Sequence, residues 1–105
     1  MEEKVEIVWS ESALIMLAEL HEYISEESEL SADNYVEGIH SSLDKLEKHP
    51  EACAICRDKK LAAKGYRCCN YKNHFTVYLF ADKEVRILAI IHSSRSSSSI
   101  EEILK

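Results

Sequence analysis

The sequence predicts an α+β fold: an N-terminal strand, an antiparallel two-helix hairpin and then a three-stranded antiparallel meander. Apolar residues recur at helical spacing only in the first half of the 105-residue chain. In the second half, runs of aromatic and β-branched residues alternate with short polar breaks, which is typical of antiparallel strands. Helices followed by strands, rather than alternating with them, favour α+β. The length fits a single domain over residues 1–105, of which residues 96–105 are expected to be a flexible tail or a short helix.

The N-terminal residues predict a short strand followed by a capped helix. In the run from Val5 to Trp9, alternate apolar side chains share a face. Ser10 comes next, and its hydroxyl is suited to accept a hydrogen bond from an orphan amide of a first helical turn. The first helix is therefore predicted from about Glu11 to Ser25.

A second helix is predicted after a polar turn over residues 26–30. Ser31 is the candidate N-cap, and apolar side chains then recur every three or four residues. The helix must end near His49, because Pro50 disfavours helical geometry in the residue before it. Two helices joined by a short turn form an antiparallel hairpin. Residues 51–65 have no clear period and are predicted to be a connecting loop, with room for one helical turn.

Three strands are predicted in the second half, namely Tyr66 to Tyr71, His74 to Phe80 and Val85 to His92. The third contains five consecutive apolar residues and is therefore apolar on both faces. Such a strand is expected at the centre of a sheet, covered on each side. The hairpin is expected to cover one face of the sheet, which leaves the other face, or an edge, for a partner.

Charge is unevenly distributed along the chain. The net charge is −6, but residues 1–50 carry −10 and residues 51–105 carry +4. This asymmetry indicates that the sheet half meets a negatively charged partner, either nucleic acid or an acidic protein. The alternative is that both halves are simply solvated surfaces.

The four cysteines are expected to be thiols. No apolar run is long enough to cross a membrane and the acidic N-terminus does not resemble a signal peptide, so the expected compartment is the cytoplasm, where disulfides are rare. Cys53 and Cys56 have the spacing of half a zinc site, and Cys68 and Cys69 are two further thiols. Adjacent strand residues point to opposite faces, so both members of that pair cannot easily bind one metal. Small buried thiols are the favoured interpretation, and no metal or cofactor is expected.

Four short stretches resemble the RelE/ParE superfamily of toxins from bacterial toxin–antitoxin modules. In chain order they are Val8-Trp9-Ser10-Glu11-Ser12-Ala13, Leu46-Glu47-Lys48-His49-Pro50, Arg67 with Phe75-Thr76-Val77-Tyr78, and Val85-Arg86-Ile87-Leu88-Ala89-Ile90-Ile91-His92-Ser93-Ser94-Arg95. The last is the most specific, because it is similar to the family's strand ending in a His and an Arg. The resemblance covers nearly the whole chain.

The resemblance implies a helical hairpin packed on a twisted antiparallel sheet, and a cognate antitoxin that binds and neutralises the toxin in a hetero-oligomer. It also implies one of two activities. RelE-like members cleave messenger RNA on the ribosome, whereas ParE-like members inhibit DNA gyrase and lack the nuclease residues.

Candidate site residues follow from the needs of RNA cleavage without a metal. The reaction needs a base for the 2′-hydroxyl, cations around the phosphate and an acid for the leaving oxygen. The catalytic candidates are Arg67, His92 and Arg95, and the binding candidates are Lys72, His74 and Arg86. Arg95 matches the family's arginine after the strand and is suited to grip a phosphate bidentately. His92 can act as acid or base, because its ordinary pKa is near neutrality.

The nuclease set is incomplete. Cys69 stands where a second basic residue is wanted, and Ser97 to Ser99 stand where RelE-like nucleases carry a tyrosine. The alternative for His92 and Arg95 is a structural role at the strand end. The favoured function is a ParE-like toxin. An mRNA interferase using His92, Arg95 and Arg67, which would be a metal-independent endoribonuclease, is the alternative, and a zinc-stabilised, non-toxic interaction module is the third.

Overall fold

Within the described residues, four strands and three helices follow one another in the order that the sequence predicts. The computed structural model describes residues 4–94 and residue 104. The elements are β1 (Glu6–Trp9), α1 (Glu11–Ser25), α2 (Glu29–Leu43), α3 (Lys59–Ala63), β2 (Arg67–Tyr71), β3 (His74–Ala81) and β4 (Glu84–His92). A 3₁₀ turn, Asp44–Glu47, extends α2. The α+β class, with a strand, two helices and then three antiparallel strands, is confirmed.

Strand β4 lies inside the sheet, as its apolar sequence predicts. The strand order is β1-β4-β3-β2, with β3 antiparallel to both β2 and β4. β1 pairs in parallel with the first half of β4, from Glu84 to Ile87. The pairing ends where the Ser10 amide donates to the Ile87 carbonyl at 2.9 Å and the chain turns into α1. On the side of β1, the second half of β4 therefore has no strand partner and lies beside α1, while its other edge continues to pair with β3.

A β-bulge sets which β4 side chains face the helices. Tyr78 of β3 lies opposite Ile87, and the preceding Val77 lies opposite Ala89, so Leu88 is the extra residue. Ile87 and Ile90 consequently both belong to the core under the helical hairpin, although an odd spacing separates them. Ala89 and Ile91 face the other side.

Two apolar clusters cover the two faces of the sheet. The first packs α1 and α2 on the sheet through Leu17, Ile39, Leu43, Tyr78 and Ile87. Full burial of each such side chain stabilises the fold by about 1.5–3 kcal/mol. The second cluster joins Leu61 of α3 to the other sheet face. That face, which the sequence left open for a partner, is thus partly covered by α3.

The hairpin helices have serine caps, one of them displaced from its predicted position. Ser10 accepts from the Ala13 amide at 3.0 Å and donates to the Leu88 carbonyl at 3.3 Å, which ties α1 to β4. The cap of α2 is Ser28, whose hydroxyl accepts from the Ser31 amide at 3.1 Å. The prediction that Ser31 is the cap was wrong, because Ser28 accepts from the Ser31 amide and the helix starts three residues sooner, at Glu29. Within residues 4–94, no helix has the length and apolarity needed to span a bilayer.

Candidate functional site: a histidine pair at one end of the sheet

Two histidines meet where β3 begins and β4 ends. His74 and His92 are direct cross-strand partners, and their ring centroids lie 5.0 Å apart at an interplanar angle of 83°. The next pair along the ladder is hydrogen-bonded, since the Ser93 amide donates to the Asn73 carbonyl at 2.9 Å. The histidines therefore occupy a non-hydrogen-bonded position, where facing side chains approach most closely. The strand register alone brings together two groups that are 18 residues apart in the sequence.

Helix α2 contributes Tyr35 to this end of the sheet. Its hydroxyl is 2.7 Å from Nδ1 of His74, and its ring meets the edge of the Tyr71 ring at 5.1 Å. Burial raises the pKa of Tyr35, which keeps the phenol protonated, although the nearby Asn73 amide acts in the opposite direction. Tyr35 thus holds His74 in one orientation.

His74 is neutral at physiological pH in this environment. Burial disfavours its charged form and lowers its pKa from the ordinary value of 6.5, and the adjacent His92 lowers it further. His92 is exposed, and its Nδ1 accepts from the Ser94 amide at 3.1 Å while the Ser94 hydroxyl lies 2.7 Å away. The pair therefore combines one ring anchored by a helix with one anchored by the chain that follows β4.

Lys72 places a positive charge beside these rings. It lies in the turn between β2 and β3 with a φ of 49°, in the left-handed region. Its ammonium nitrogen is 5.5 Å from the centroid of the Tyr71 ring and 5.8 Å from that of Tyr35, which is cation–π range. The predicted binding residues Lys72 and His74 thus assemble with His92.

A cavity of about 380 Å³ opens beside the histidine pair. One wall is α1, with Met16, Glu19 and Leu20, and the other is the end of the sheet. The sheet side comprises His74, Ile90, Ile91 and His92. The volume is in the range of small-ligand sites, and the mixture of apolar walls with a few polar groups is typical of them.

Arg67, predicted as catalytic, lies elsewhere. It begins β2 opposite Tyr78, at the end of the strand remote from the histidines. One guanidinium nitrogen donates to the Cys53 carbonyl at 2.8 Å and to the Glu51 carbonyl at 3.3 Å, and the other is 3.6 Å from the Glu51 carboxylate. Tyr78 supports the same loop by donating to the Pro50 carbonyl at 2.8 Å. Arg67 therefore anchors the loop before α3.

Arg86, predicted as a binding residue, does not join this cluster. Arg86 lies near the start of β4, and its Nε is 2.6 Å from the carboxylate of Glu84. That carboxylate raises the pKa of the exposed Arg86 guanidinium. Arg95 lies outside the described residues.

The expectation of free thiols is wrong, because the structure pairs all four cysteines. Cys53 is bonded to Cys69, and Cys56 to Cys68, with Cα separations of 5.4 Å and 5.1 Å. The physical reason is the alternation of β2. Its adjacent cysteines point to opposite faces, as the sequence predicts, so each reaches a different cysteine of the preceding loop. Cys53 and Cys56, considered as weak zinc ligands, are therefore occupied, and no cluster of three potential metal ligands occurs among residues 4–94.

Tyr35 and Glu19 are the site residues that sequence reasoning missed. Both lie on helices, where Tyr35 follows the same apolar stripe as the core residues of α2 and Glu19 resembles any solvated carboxylate. No local signal distinguishes them. Only the packing of the hairpin on the sheet brings them to the histidines.

The comparisons with known proteins agree with this architecture. A family model described as the ParE toxin of the type II toxin–antitoxin system parDE matches residues 7–97. The solved chromosomal ParDE system from P. aeruginosa is similar with a TM-score of 0.70 and 17% identity, over 85% of this chain and 96% of that chain. The toxin–antitoxin complex RelBE2 from Mycobacterium tuberculosis is similar with a TM-score of 0.60 and 18% identity, over 90% of this chain and 98% of that chain.

At such identities the solved structures bear on the fold alone, and no curated protein sequence is significantly similar to this chain. The resemblance to the RelE/ParE superfamily is confirmed by the family model together with the fold. Because that model spans most of the sequence, the chain belongs to the ParE toxin family of type II toxin–antitoxin systems.

Proposed function

We propose that this protein is a growth-inhibiting toxin that acts in the ParE-like manner, by binding a target such as DNA gyrase, and that a cognate antitoxin neutralises it in the cytoplasm. The observation that carries the proposal is the position of Arg67. A metal-free nuclease needs cations and an acid–base group around one phosphate. Arg67 instead holds the carbonyls of Glu51 and Cys53, at the end of β2 remote from His92.

The charge of the chain supports the same choice. A ribosome-dependent nuclease approaches a dense phosphate surface, where a net charge of −6 opposes association. The strongly negative half is the helical hairpin, which covers one face of the sheet. A protein target differs in that it need not present a dense phosphate surface.

An mRNA interferase is the second candidate, and the histidine pair favours it. A neutral imidazole beside a second imidazole is an arrangement suited to general acid–base chemistry. In that case His92 and Arg95 would act on the phosphate with His74 and Lys72, and Arg67 would take no direct part.

Induction of the chain in cells separates the two activities. We expect growth arrest, loss of gyrase supercoiling activity and intact transcripts. Rapid transcript cleavage with normal supercoiling would instead establish the interferase.

Co-expression with the product of the neighbouring reading frame tests the antitoxin. We expect a complex that survives gel filtration at low salt and restores growth. Separate elution of the two proteins, without rescue, would count against a toxin–antitoxin pair.

A further inference from the structure

The hydrogen bond of His92 fixes which of its ring nitrogens carries the proton. The Ser94 backbone N–H donates to Nδ1 at 3.1 Å, so Nδ1 must present a lone pair. A neutral imidazole has one protonated nitrogen. In the neutral ring the proton of His92 is therefore on Nε2, which is a donor.

Tyr35 favours the same tautomer in His74. Burial raises the pKa of the Tyr35 phenol, so the phenol keeps its hydrogen, and its oxygen lies 2.7 Å from Nδ1 of His74. When the phenol donates to Nδ1, the proton of neutral His74 is on Nε2.

Two Nε2–H donors consequently belong to rings that line one cavity. Both His74 and His92 contribute to its wall, and no described residue accepts a hydrogen bond from either Nε2. The tautomers also argue against a divalent metal, which requires a lone pair where these rings carry hydrogen. A ligand that accepts hydrogen bonds therefore complements the two histidine rings that line this cavity.

We propose that this cavity is an oxyanion site, in which the Nε2–H groups of His74 and His92 donate to oxygens of a phosphate. The inference rests on the cavity and its hydrogen bonds and does not depend on the toxin's target. The apolar side chains of Met16, Leu20 and Ile90 make part of the wall non-polar, and hydrogen bonds are stronger in less polar surroundings.

Two charges near the cavity act in opposite directions. Lys72, which stacks on the same Tyr35 ring that holds His74, attracts an anion. Glu19 on the α1 wall repels one. The affinity for phosphate therefore depends on the attraction by Lys72 and the repulsion by Glu19, and a substitution of either residue should change it.

The test is a titration of the whole protein with inorganic phosphate, followed through the side-chain ¹H–¹⁵N resonances of its histidines. We expect the Nε2 signals of His74 and His92 to shift and saturate. His21, which lies 2.7 Å from Asp33 in the helical hairpin, and His40, which packs on Trp9, are internal controls. The proposal is overturned if His74 and His92 respond no more than these two.

Variants sharpen the test. His92→Ala should abolish saturation, Tyr35→Phe should weaken phosphate affinity several-fold by releasing His74, and Glu19→Gln should tighten it several-fold. Thermal melting of each variant shows that it is folded. Unchanged affinity in folded Tyr35→Phe and Glu19→Gln variants would refute the tautomer and charge arguments, whatever the toxin assays show.

The same resonances distinguish two sources of the phosphate. If a short single-stranded oligoribonucleotide displaces inorganic phosphate from His74 and His92, the site accepts a nucleic-acid backbone. If phosphate binds and the oligonucleotide does not compete, the site is for a free phosphate.

Discussion

His74 and His92 face each other across β3 and β4 with ring centroids 5.0 Å apart, and only one of the two is bonded to a helix. His74 is half-buried under Tyr35, whereas His92 is exposed. Two identical side chains in register thus have different environments. Burial, and then the neighbouring His92, lower the pKa of His74.

Acid should destabilise the protein through His74. Its pKa is below 6.5 in the folded state because of burial and then of His92, and is about 6.5 in the unfolded chain. Below 6.5 the unfolded state binds the proton more readily, so the stabilisation present above that pH is lost as the pH falls towards the folded pKa. Melting temperatures between about pH 8 and pH 5 measure this loss. Tyr71, Lys72 and Glu19 also surround the site, so the comparison is with His74→Gln, which should lose less stability in acid than the wild type.

Arg67→Ala should lower stability rather than toxicity. The guanidinium bonds to the carbonyls of Cys53 and Glu51 are charge-assisted, and their loss should cost about 1–3 kcal/mol of unfolding free energy. Glu51→Ala removes only an exposed ion pair and should cost about 0–1 kcal/mol. Denaturant unfolding measures both. If an Arg67→Ala protein has wild-type stability and no longer arrests growth, the role of Arg67 is functional and not structural.

Arg95→Ala should have the opposite profile. Arg95 follows the strand that ends in His92, and a guanidinium contact to a target or a phosphate requires two donors in one plane. We expect loss of growth arrest with a nearly unchanged melting temperature, and little restoration by Arg95→Lys. Arg57→Ala is a suitable control, since that arginine is exposed on the loop before α3. Growth arrest by a folded Arg95→Ala protein would remove Arg95 from the site.

The disulfides should stabilise the protein non-additively, because one is nested inside the other. Cys53–Cys69 spans 16 residues and Cys56–Cys68 spans 12, so either bond alone closes nearly the same loop. Loss of both disulfides should lower the unfolding free energy by about 3 kcal/mol, which is the contribution of the closure entropy of one loop of this size. Loss of one disulfide should lower it much less, because the other still closes nearly the same loop. Denaturant unfolding of the two double-alanine variants and the quadruple variant tests this. Additive losses, or no effect of a reductant, would contradict it.

The oxidation state also bears on the expected compartment. A reducing cytosol disfavours disulfides, so alkylation of thiols in denaturant at the moment of lysis should label all four cysteines if the protein is in the cytoplasm. Protection of the cysteines from alkylation would place the protein in an oxidising environment.

The central strand was predictable because its cause is local. Five consecutive apolar residues ending at Ile91 cannot be solvated on either face, so burial between neighbours is the available solution. The cap at Ser10 was predictable for the same reason, because its hydroxyl oxygen accepts from the backbone amide of Ala13, only three residues away.

The parts that sequence reasoning missed depend on contacts distant in the sequence. The parallel partner of β4 is β1, nearly 80 residues earlier, and no local pattern encodes that pairing. The disulfides were missed because the expected compartment outweighed the spacing of the cysteines, although their opposite orientation on β2 was recognised. Arg67 was predicted as a site residue because it resembles a basic residue of the RelE-like nucleases. Its actual partners are carbonyls of the loop before α3, and the sequence alone does not predict the course of that loop.

Gly38 should be intolerant of alanine although it lies within a helix. A Cβ at this position of α2 would collide with the hydroxyl and ring of Tyr71, which pack directly on the helix backbone. Alanine normally stabilises a helix interior by about 1 kcal/mol relative to glycine. Overpacking costs about 1–3 kcal/mol, and here Tyr71 would also be forced from its contacts with Tyr35 and Lys72. Gly38→Ala should therefore be destabilising.

The decisive comparison is the same substitution without the obstructing ring. In a Tyr71→Ala background, Gly38→Ala should become stabilising by about 0.5–1 kcal/mol, because only the helix propensity remains. Ser41→Ala, at an exposed position of the same helix, controls for propensity alone. Denaturant unfolding of the four proteins of the cycle gives the coupling between positions 38 and 71. If Gly38→Ala changes the unfolding free energy equally in both backgrounds, the close approach of Tyr71 to α2 is not the reason for glycine at position 38. The position of Tyr35 beside the histidines must then depend on contacts other than the one with Tyr71.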